Sequence, residues 1–379
     1  MIYLDNASTT FPKPPQVLAA MQTFMTECGV SPGRGGYAAA RAADALVARV
    51  RRKLTGLIGG DDPARMVFAA SCTDALNLAI HGVLRDGDHV VTTALEHNSV
   101  SRPLETLRAR GCITLTRVGC GADGRIDPDD IAAAINPRTR LITLNHASNV
   151  TGAIQPVAAV GAIAAESEAY FLLDAAQTMG VLDIAMADWH VDLLAFPAHK
   201  ELLGPPGVGG LYVGPRVAID AYRQGGTGSD SIHPTQPDDW PFRLEAGTPN
   251  VVGLAGLDAA LATIDPPATR ARLQALTGRL TQALAALPAV RVRGMLDAAD
   301  CVGVCALTLE GMAAEDVGAI LDESYAIAAR AGLHCAPYAH RALGTFPNGA
   351  LRLSPGVYTT EAEIDQTVTA IAQLSDSAL

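Results

Sequence analysis

The chain has 379 residues, 49% of them apolar, enough to bury a large core and to form two domains. Lysine and arginine number 28 against 39 aspartates and glutamates, and the resulting charge of −11 repels nucleic-acid phosphates and anionic lipid headgroups, so neither is expected as a partner. Residues 1–6 lack a basic segment leading into an apolar one, and no run is apolar long enough to span a bilayer, which predicts a cytoplasmic protein without a membrane partner.

Residues 14–25 read as a short helix with Val17, Met21, Phe24 and Met25 on a shared face, and 38–58 as one long helix. From 65 to 215, short apolar runs alternate with amphipathic stretches, the pattern of βα units around a mostly parallel sheet. Seven strands are predicted, at 65–68, 89–93, 113–117, 141–144, 170–173, 191–196 and 208–213. Several are apolar throughout, as strands covered on both faces should be. Helices are predicted at 74–84, 100–110, 128–135 and 156–166, the last two opening on proline.

Residues 224–241 are rich in glycine, proline and polar side chains and read as a covering loop. A helical pattern at 251–264 stops before Pro266-Pro267, beyond which a second α+β region runs to the C-terminus. The expected division is a large domain of 16–264 and a smaller α+β domain made of 1–15 with 265–379. No internal repeat is present, and the only tail is a short polar end at 375–377.

Seven cysteines without framework spacing suit reduced thiols. Cys301 and Cys305 should fall on one strand face as buried structural thiols. With no Cys-x-x-Cys and no His-Glu-x-x-His, no metal site is predicted.

Polar residues suited to catalysis follow the C-terminal ends of successive predicted strands, where open α/β sheets bind ligands. They are Ser71, Cys72 and Thr73; Glu96 and His97; Asn145, His146 and Asn149; Asp174 and Gln177; and His199 and Lys200. Lys200 ends an apolar strand, and a poorly solvated lysine has its pKa lowered toward the nucleophilic amine. Alone, a lysine there is more often a solvated loop residue, by roughly five to one. Asp174 on the neighbouring strand changes the odds, because a carboxylate there can pair with the protonated pyridine nitrogen of pyridoxal 5'-phosphate (PLP) and make the ring an electron sink. Helix capping is the alternative for Asp174. His97 could stack on the ring or be a hydrogen-bonded structural group. Thr73, at a helix N-terminus, could receive a phosphate or serve as an ordinary cap.

Assembled, the sequence resembles the PLP-dependent class V aminotransferase-fold family, specifically its cysteine desulfurase and selenocysteine lyase group (SufS-like, second group, in a less characterised branch). The carrying motifs span nearly the whole chain: Tyr3-Leu4-Asp5-Asn6-Ala7-Ser8-Thr9-Thr10, Glu96-His97-Asn98-Ser99, Ser148-Asn149-Val150-Thr151-Gly152, Asp174-Ala175-Ala176-Gln177, Ala198-His199-Lys200, Glu245-Ala246-Gly247-Thr248-Pro249-Asn250 and Arg330-Ala331-Gly332-Leu333-His334-Cys335-Ala336. The resemblance implies PLP fold type I: a large domain with a mostly parallel seven-stranded sheet and a smaller C-terminal α+β domain.

It also implies site roles. Lys200 would hold PLP as a Schiff base, Asp174 would pair with the ring nitrogen, His97 would stack on the ring, and Gln177 would contact its hydroxyl. Asn149 would touch ring or substrate, with Ala7 beside the substrate. Thr73 and His199 would hold the cofactor's phosphate, joined by Thr248 from the partner subunit of a homodimer, with Cys72 and Gly247 also among the cofactor-binding residues. Arg352 would grip the substrate carboxylate. Cys335 would be the nucleophile, its Gly332 and Pro337 flanks suiting an accessible loop.

Three departures stand out: Pro197 where relatives often bond the phosphate through serine, Gly35-Gly36-Tyr37 after Arg34 where a histidine is common, and Leu333 in place of another histidine. The implied reaction converts L-cysteine to L-alanine, leaving a persulfide on Cys335 for an acceptor protein or thiol. Rival readings are a selenocysteine lyase or another PLP-dependent C–S β-lyase or aminotransferase, and a poorly active PLP-binding sulfur-carrier scaffold.

Overall fold

The computed structural model describes residues 1–33, 35–230, 232–294 and 297–378; Arg34, named above, lies outside the described residues. Thirteen strands appear among them: β1 (Ile2–Tyr3), β2 (Met66–Ala69), β3 (His89–Thr93), β4 (Thr114–Val118), β5 (Thr139–Asn145), β6 (Tyr170–Asp174), β7 (Leu193–Pro197), β8 (Gly209–Val213), β9 (Val290–Arg293), β10 (Cys305–Leu309), β11 (Ile327–Ala328), β12 (Arg330–Gly332) and β13 (Ala350–Leu353).

Strands β2 to β8 form one sheet in the order β2-β8-β7-β6-β5-β3-β4. Only β8 runs against its neighbours, so the sheet is mostly parallel, as the βα alternation predicts. The central strands are buried along their length because alternate residues enter two different cores. Phe171, Leu173, Leu194 and Phe196 join the larger core on one face, and Leu172, Leu193, Ala195 and Leu211 join the second on the other. β4, at the edge, is mixed in burial and carries Thr and Arg, which blunt an unpaired edge.

The C-terminal region forms an antiparallel sheet, β12-β13-β10-β9, with its own core of Leu276, Leu280, Leu307, Leu351, Ile364 and Ile371. The helices Pro266–Ala285, Ala314–Tyr325 and Glu361–Ala378 supply its apolar cover. β1 pairs in parallel with β11, which ties the start of the chain to this region. No single helix among the described residues is long and apolar enough to cross a membrane.

Several boundaries differ from the sequence expectation. The first helix is Pro15–Thr23, followed by a wider π turn at Phe24–Cys28 that rotates the face, so Val17 is buried while Met25 is 65% exposed. Pro156 precedes the helix Val157–Ala165 rather than opening it. The run from Cys301 to Cys305 is not one strand: Cys301 makes an isolated bridge with Ala153, and β10 begins only at Cys305. Both thiols are nevertheless buried, which pushes Cys301 up to about 12 and Cys305 to about 11. The polar end at 375–377 belongs to the last helix.

Gly161 lets the helix Val157–Ala165 approach a neighbouring turn closely, since a Cβ there would fall 1.8 Å from the Trp189 carbonyl oxygen. Replacing Gly161 with Ala forces the two apart and should destabilise the fold by about 1–3 kcal/mol. The check is a urea midpoint lowered at unchanged slope.

Candidate active site

The C-terminal ends of β2, β3, β5, β6 and β7 meet at one edge of the sheet. β3 and β5 are neighbours there, while their connection runs through β4 on the other side of β3, which makes this a topological switch point. A cavity of about 180 Å³ lies at that edge. Its walls bring together Ala7, Cys72, Thr73, His97, Asn149, Asp174, Gln177, His199, Lys200 and Arg352 from widely separated parts of the sequence.

Asp174 is buried at the end of β6, where its Oδ1 accepts from Ala176 N–H (2.9 Å) and from the Cys72 thiol (3.5 Å). No helix follows β6, so Asp174 does not act as a helix cap. Burial raises its pKa, against the pull of the Ala176 amide and of Lys200. For Lys200 the same burial lowers the pKa, opposed by Asp174 and assisted by Arg352 and Arg330. Cys72 is pushed well up by burial and then by Asp174, so its thiol stays protonated.

The helix Cys72–Val83 is capped by Ser71, whose hydroxyl accepts from Asp74 N–H (3.1 Å), which removes the capping alternative for Thr73. Thr73 instead shares a hydrogen bond with Ser99 (2.7 Å), and Ser99 N–H donates to His97 Nδ1 (3.1 Å). His97 itself caps the helix Asn98–Ala109. Burial, helped by Lys200 and Arg330, lowers His97 to about 4, so the ring is neutral with its proton on Nε2. His199 is likewise lowered to about 4, by burial and then by Lys200 and Lys13.

The segment after β1 closes the cavity. The Thr9 hydroxyl (3.0 Å), Thr10 N–H (3.1 Å) and Lys13 Nζ (2.6 Å) all donate to the His199 carbonyl, and the Thr10 hydroxyl donates to that of Lys200 (2.9 Å). Gln177 Nε2 donates to the Ala7 carbonyl (3.1 Å). Arg352, 1% exposed, donates to Asn149 O (2.9 Å), Asp5 Oδ1 (2.7 Å) and the Ser8 hydroxyl (2.6 Å). Ser8 also accepts from Arg330 Nη1 (2.7 Å) and donates to Asp5 (2.8 Å).

Cys335 lies just outside this cavity, in a groove of about 980 Å³. Arg330 and His334 line both spaces, and Arg330 Nη2 is 3.6 Å from the Cys335 sulfur. His334 and Cys335 have φ of +48° and +57°, a region non-glycine residues rarely occupy. The turn is clamped by Asn149 Nδ2 donating to His334 O and Asn98 N–H donating to Cys335 O, both at 2.7 Å. Gly247 and Thr248 stand apart and line a separate cavity of about 590 Å³ with Arg51 and Glu245, so one chain alone does not bring them to Lys200.

Ser8, Ser99 and Arg330 are site residues to which no role was assigned from sequence. All three sit in the motifs that carry the resemblance, but the contacts of Ser8 and Arg330 depend on the pairing of β12 with β13 and on the path after β1. Pro197, the departure at the phosphate side, lines the cavity and offers no donor.

The arrangement of strands, with its single reversed member and its polar edge, defines the class: fold type I of the PLP-dependent enzymes. The chain belongs to the aminotransferase class-V family, whose model matches residues 2–367. It is 34% identical to a probable cysteine desulfurase of Methanothermobacter thermautotrophicus, over 96% of this chain and 92% of that one. A solved cysteine desulfurase from Thermococcus onnurineus NA1 superposes with a TM-score of 0.93 at 30% identity, covering 99% of this chain and 95% of the other. The Escherichia coli cysteine desulfurase CsdA gives 0.88 at 28% identity, covering 100% and 95%.

Members of this family use PLP, and the cavity fits it on its own terms. A lysine with lowered pKa and a buried carboxylate face one space, and three buried atoms on its walls, Asn145 Oδ1, Asn149 Oδ1 and Arg352 Nε, have no hydrogen-bond partner among the described residues. Such orphans mark where a polar ligand completes the bonding.

Glu96 is fully buried beneath the cavity, its Oε1 accepting from Thr93 Oγ1 (2.9 Å) and Asn145 N–H (3.0 Å). Burial, then Asp174, raises its pKa from 4.5 to about 8. The folded state therefore keeps a proton that the unfolded chain releases, and stability falls as pH rises from the unfolded value to about 8. Glu96→Gln removes that dependence. Thermal melts of apoprotein between those limits should show the variant gaining on wild type by several degrees as pH rises; parallel pH curves would refute the assignment.

Proposed function

We propose that the chain is a PLP-dependent cysteine desulfurase that converts L-cysteine to L-alanine and passes the sulfur from Cys335 to an acceptor. The observation that carries this reading is the cluster of Lys200, Asp174 and Arg352 around one cavity, with Arg330 reaching from its wall to the Cys335 sulfur. When bound, PLP supplies an electron sink for charge developing at the substrate α-carbon.

The residues divide the remaining work. Lys200 would be the amine that holds the cofactor's aldehyde, and its lowered pKa suits it to take the α-proton. Asp174 would pair with the pyridine nitrogen and hold it protonated, and neutral His97 would lie against the ring. Gln177 would serve the ring hydroxyl and Thr73 and His199 would hold the phosphate, while Cys72 lies beside Asp174. Arg352 binds the substrate carboxylate, with Asn149 and Ala7 beside it. Cys335 thiolate attacks the substrate sulfur; the C–S electrons return to carbon, which takes a proton and leaves as alanine, and Cys335 keeps the sulfur as a persulfide.

The reading includes a homodimer, in which Gly247 and Thr248 complete the phosphate side of a second copy's site. It also includes a large domain of 16–264 and a small one of 1–15 with 265–379, supported by the separate core that joins Leu4 to residues beyond 275. A cytoplasmic location follows from the same reading.

Two variants test it with PLP-loaded protein. Lys200→Ala should lower alanine formation from cysteine by about 10³-fold or more, and borohydride should leave no reduced B6 adduct on that peptide. Cys335→Ala should abolish protein-bound persulfide and lower sulfide release, with dithiothreitol present, by a similar factor. Undiminished release would favour a β-lyase that does not need the thiol.

A further inference from the structure

The groove over Cys335 is opposite in sign to the net charge of the chain. The chain carries −11 overall, yet Arg102, Arg330 and Arg341 line this groove against a single carboxylate, Glu105. That carboxylate is already engaged: it accepts from Arg108 (2.7 Å), Arg117 (2.8 Å) and the Tyr338 hydroxyl (3.0 Å). Among the described residues none of the three lining arginines makes an ion pair. Arg341 lies over the Phe346 ring (3.8 Å), a contact that positions the guanidinium and leaves its charge unneutralised. Arg102 and Arg341 are exposed, and burial holds His334 neutral at about 3, so it contributes no charge to the groove.

Unpaired cations gathered at one concave surface of an anionic protein steer and orient an anionic partner. The groove, about 980 Å³, is far larger than one amino acid needs and has room for a chain segment. We infer that the groove docks an acidic segment of a sulfur-acceptor protein, which presents a cysteine thiol flanked by aspartate or glutamate to the sulfur on Cys335. This inference rests on the desulfurase reading and adds the chemistry of the partner. In the transfer, the acceptor thiolate attacks the outer sulfur of the Cys335 persulfide, the S–S bond breaks, and Cys335 leaves as thiolate. The acceptor becomes the persulfide, so no outside oxidant or reductant is consumed.

The test uses PLP-loaded protein and two fluorescent synthetic peptides, each with one central cysteine in a Gly/Ser background, one flanked by glutamates and the other by lysines. Fluorescence anisotropy should show the glutamate peptide binding about tenfold tighter at low salt, with the preference collapsing near 0.5 M salt. The double variant Arg102→Glu/Arg341→Glu should reverse the preference while alanine formation with dithiothreitol as acceptor stays at the wild-type rate. Equal binding of the two peptides by wild type, or a preference unchanged by salt, overturns the inference whatever the variant does. Because binding is read without turnover, absent alanine formation would count against the desulfurase reading and leave the docking result to stand on its own.

Discussion

Arg330 and Arg352 are directly opposite each other in the β12–β13 ladder, two like charges at a cross-strand position that normally repels them. The Asp5 carboxylate and the Ser8 hydroxyl, both delivered by the segment after β1, relieve this repulsion. The rest of the site depends on that relief. Arg352 keeps one edge toward the cavity, Arg330 reaches the Cys335 sulfur, and the segment that supplies Asp5 goes on to hold the carbonyls of His199 and Lys200. Four stretches distant in sequence are thereby fixed around one space.

Several titratable groups in and around the cavity are arranged to carry no charge at neutral pH. Burial keeps His97, His146, His199 and His334 unprotonated and holds Glu96 and the Cys72 thiol in their neutral forms. Burial pushes Asp174 and Lys200 toward their neutral forms as well, each opposed by the other's charge, while the two arginines stay charged. In a poorly solvated space a few fixed charges act strongly, since little water competes with them. The backbone is also committed: two consecutive residues in the left-handed region present the Cys335 sulfur, held by Asn98 and Asn149, which lie well outside the small sheet.

The large sheet was legible because strands covered on both faces are mostly apolar, and the runs at 170–173 and 208–213 are apolar throughout. The polar residues at their ends were legible for the complementary reason: a side chain such as Asp174 or Lys200 has no place at the end of such a run unless something uses it. The small sheet was harder. β1, β11 and β12 are two or three residues long, and Arg330-Ala331-Gly332 has no alternation to announce a strand. Without β12 the proximity of Arg330 to Arg352, and so the purpose of Ser8, has no signal in the sequence. The Cys301–Cys305 run misled because glycine and β-branched residues imitate a strand where the chain actually turns toward Ala153. Ser71 and Thr73 are both competent caps, and only the backbone decides which one serves.

The pairing of β1 with β11, and of Asp5 with Ser354, joins residues more than three hundred positions apart. During synthesis the first of these emerge from the ribosome long before their partners exist. The large sheet can therefore condense while Asp5 and Ser8 wait unengaged, and the catalytic edge closes as a late event, after β13 has been translated. A nascent or truncated chain lacking that strand would own a formed sheet and Lys200 but not the buried guanidinium of Arg352, so that wall of the cavity stays open until β13 is made.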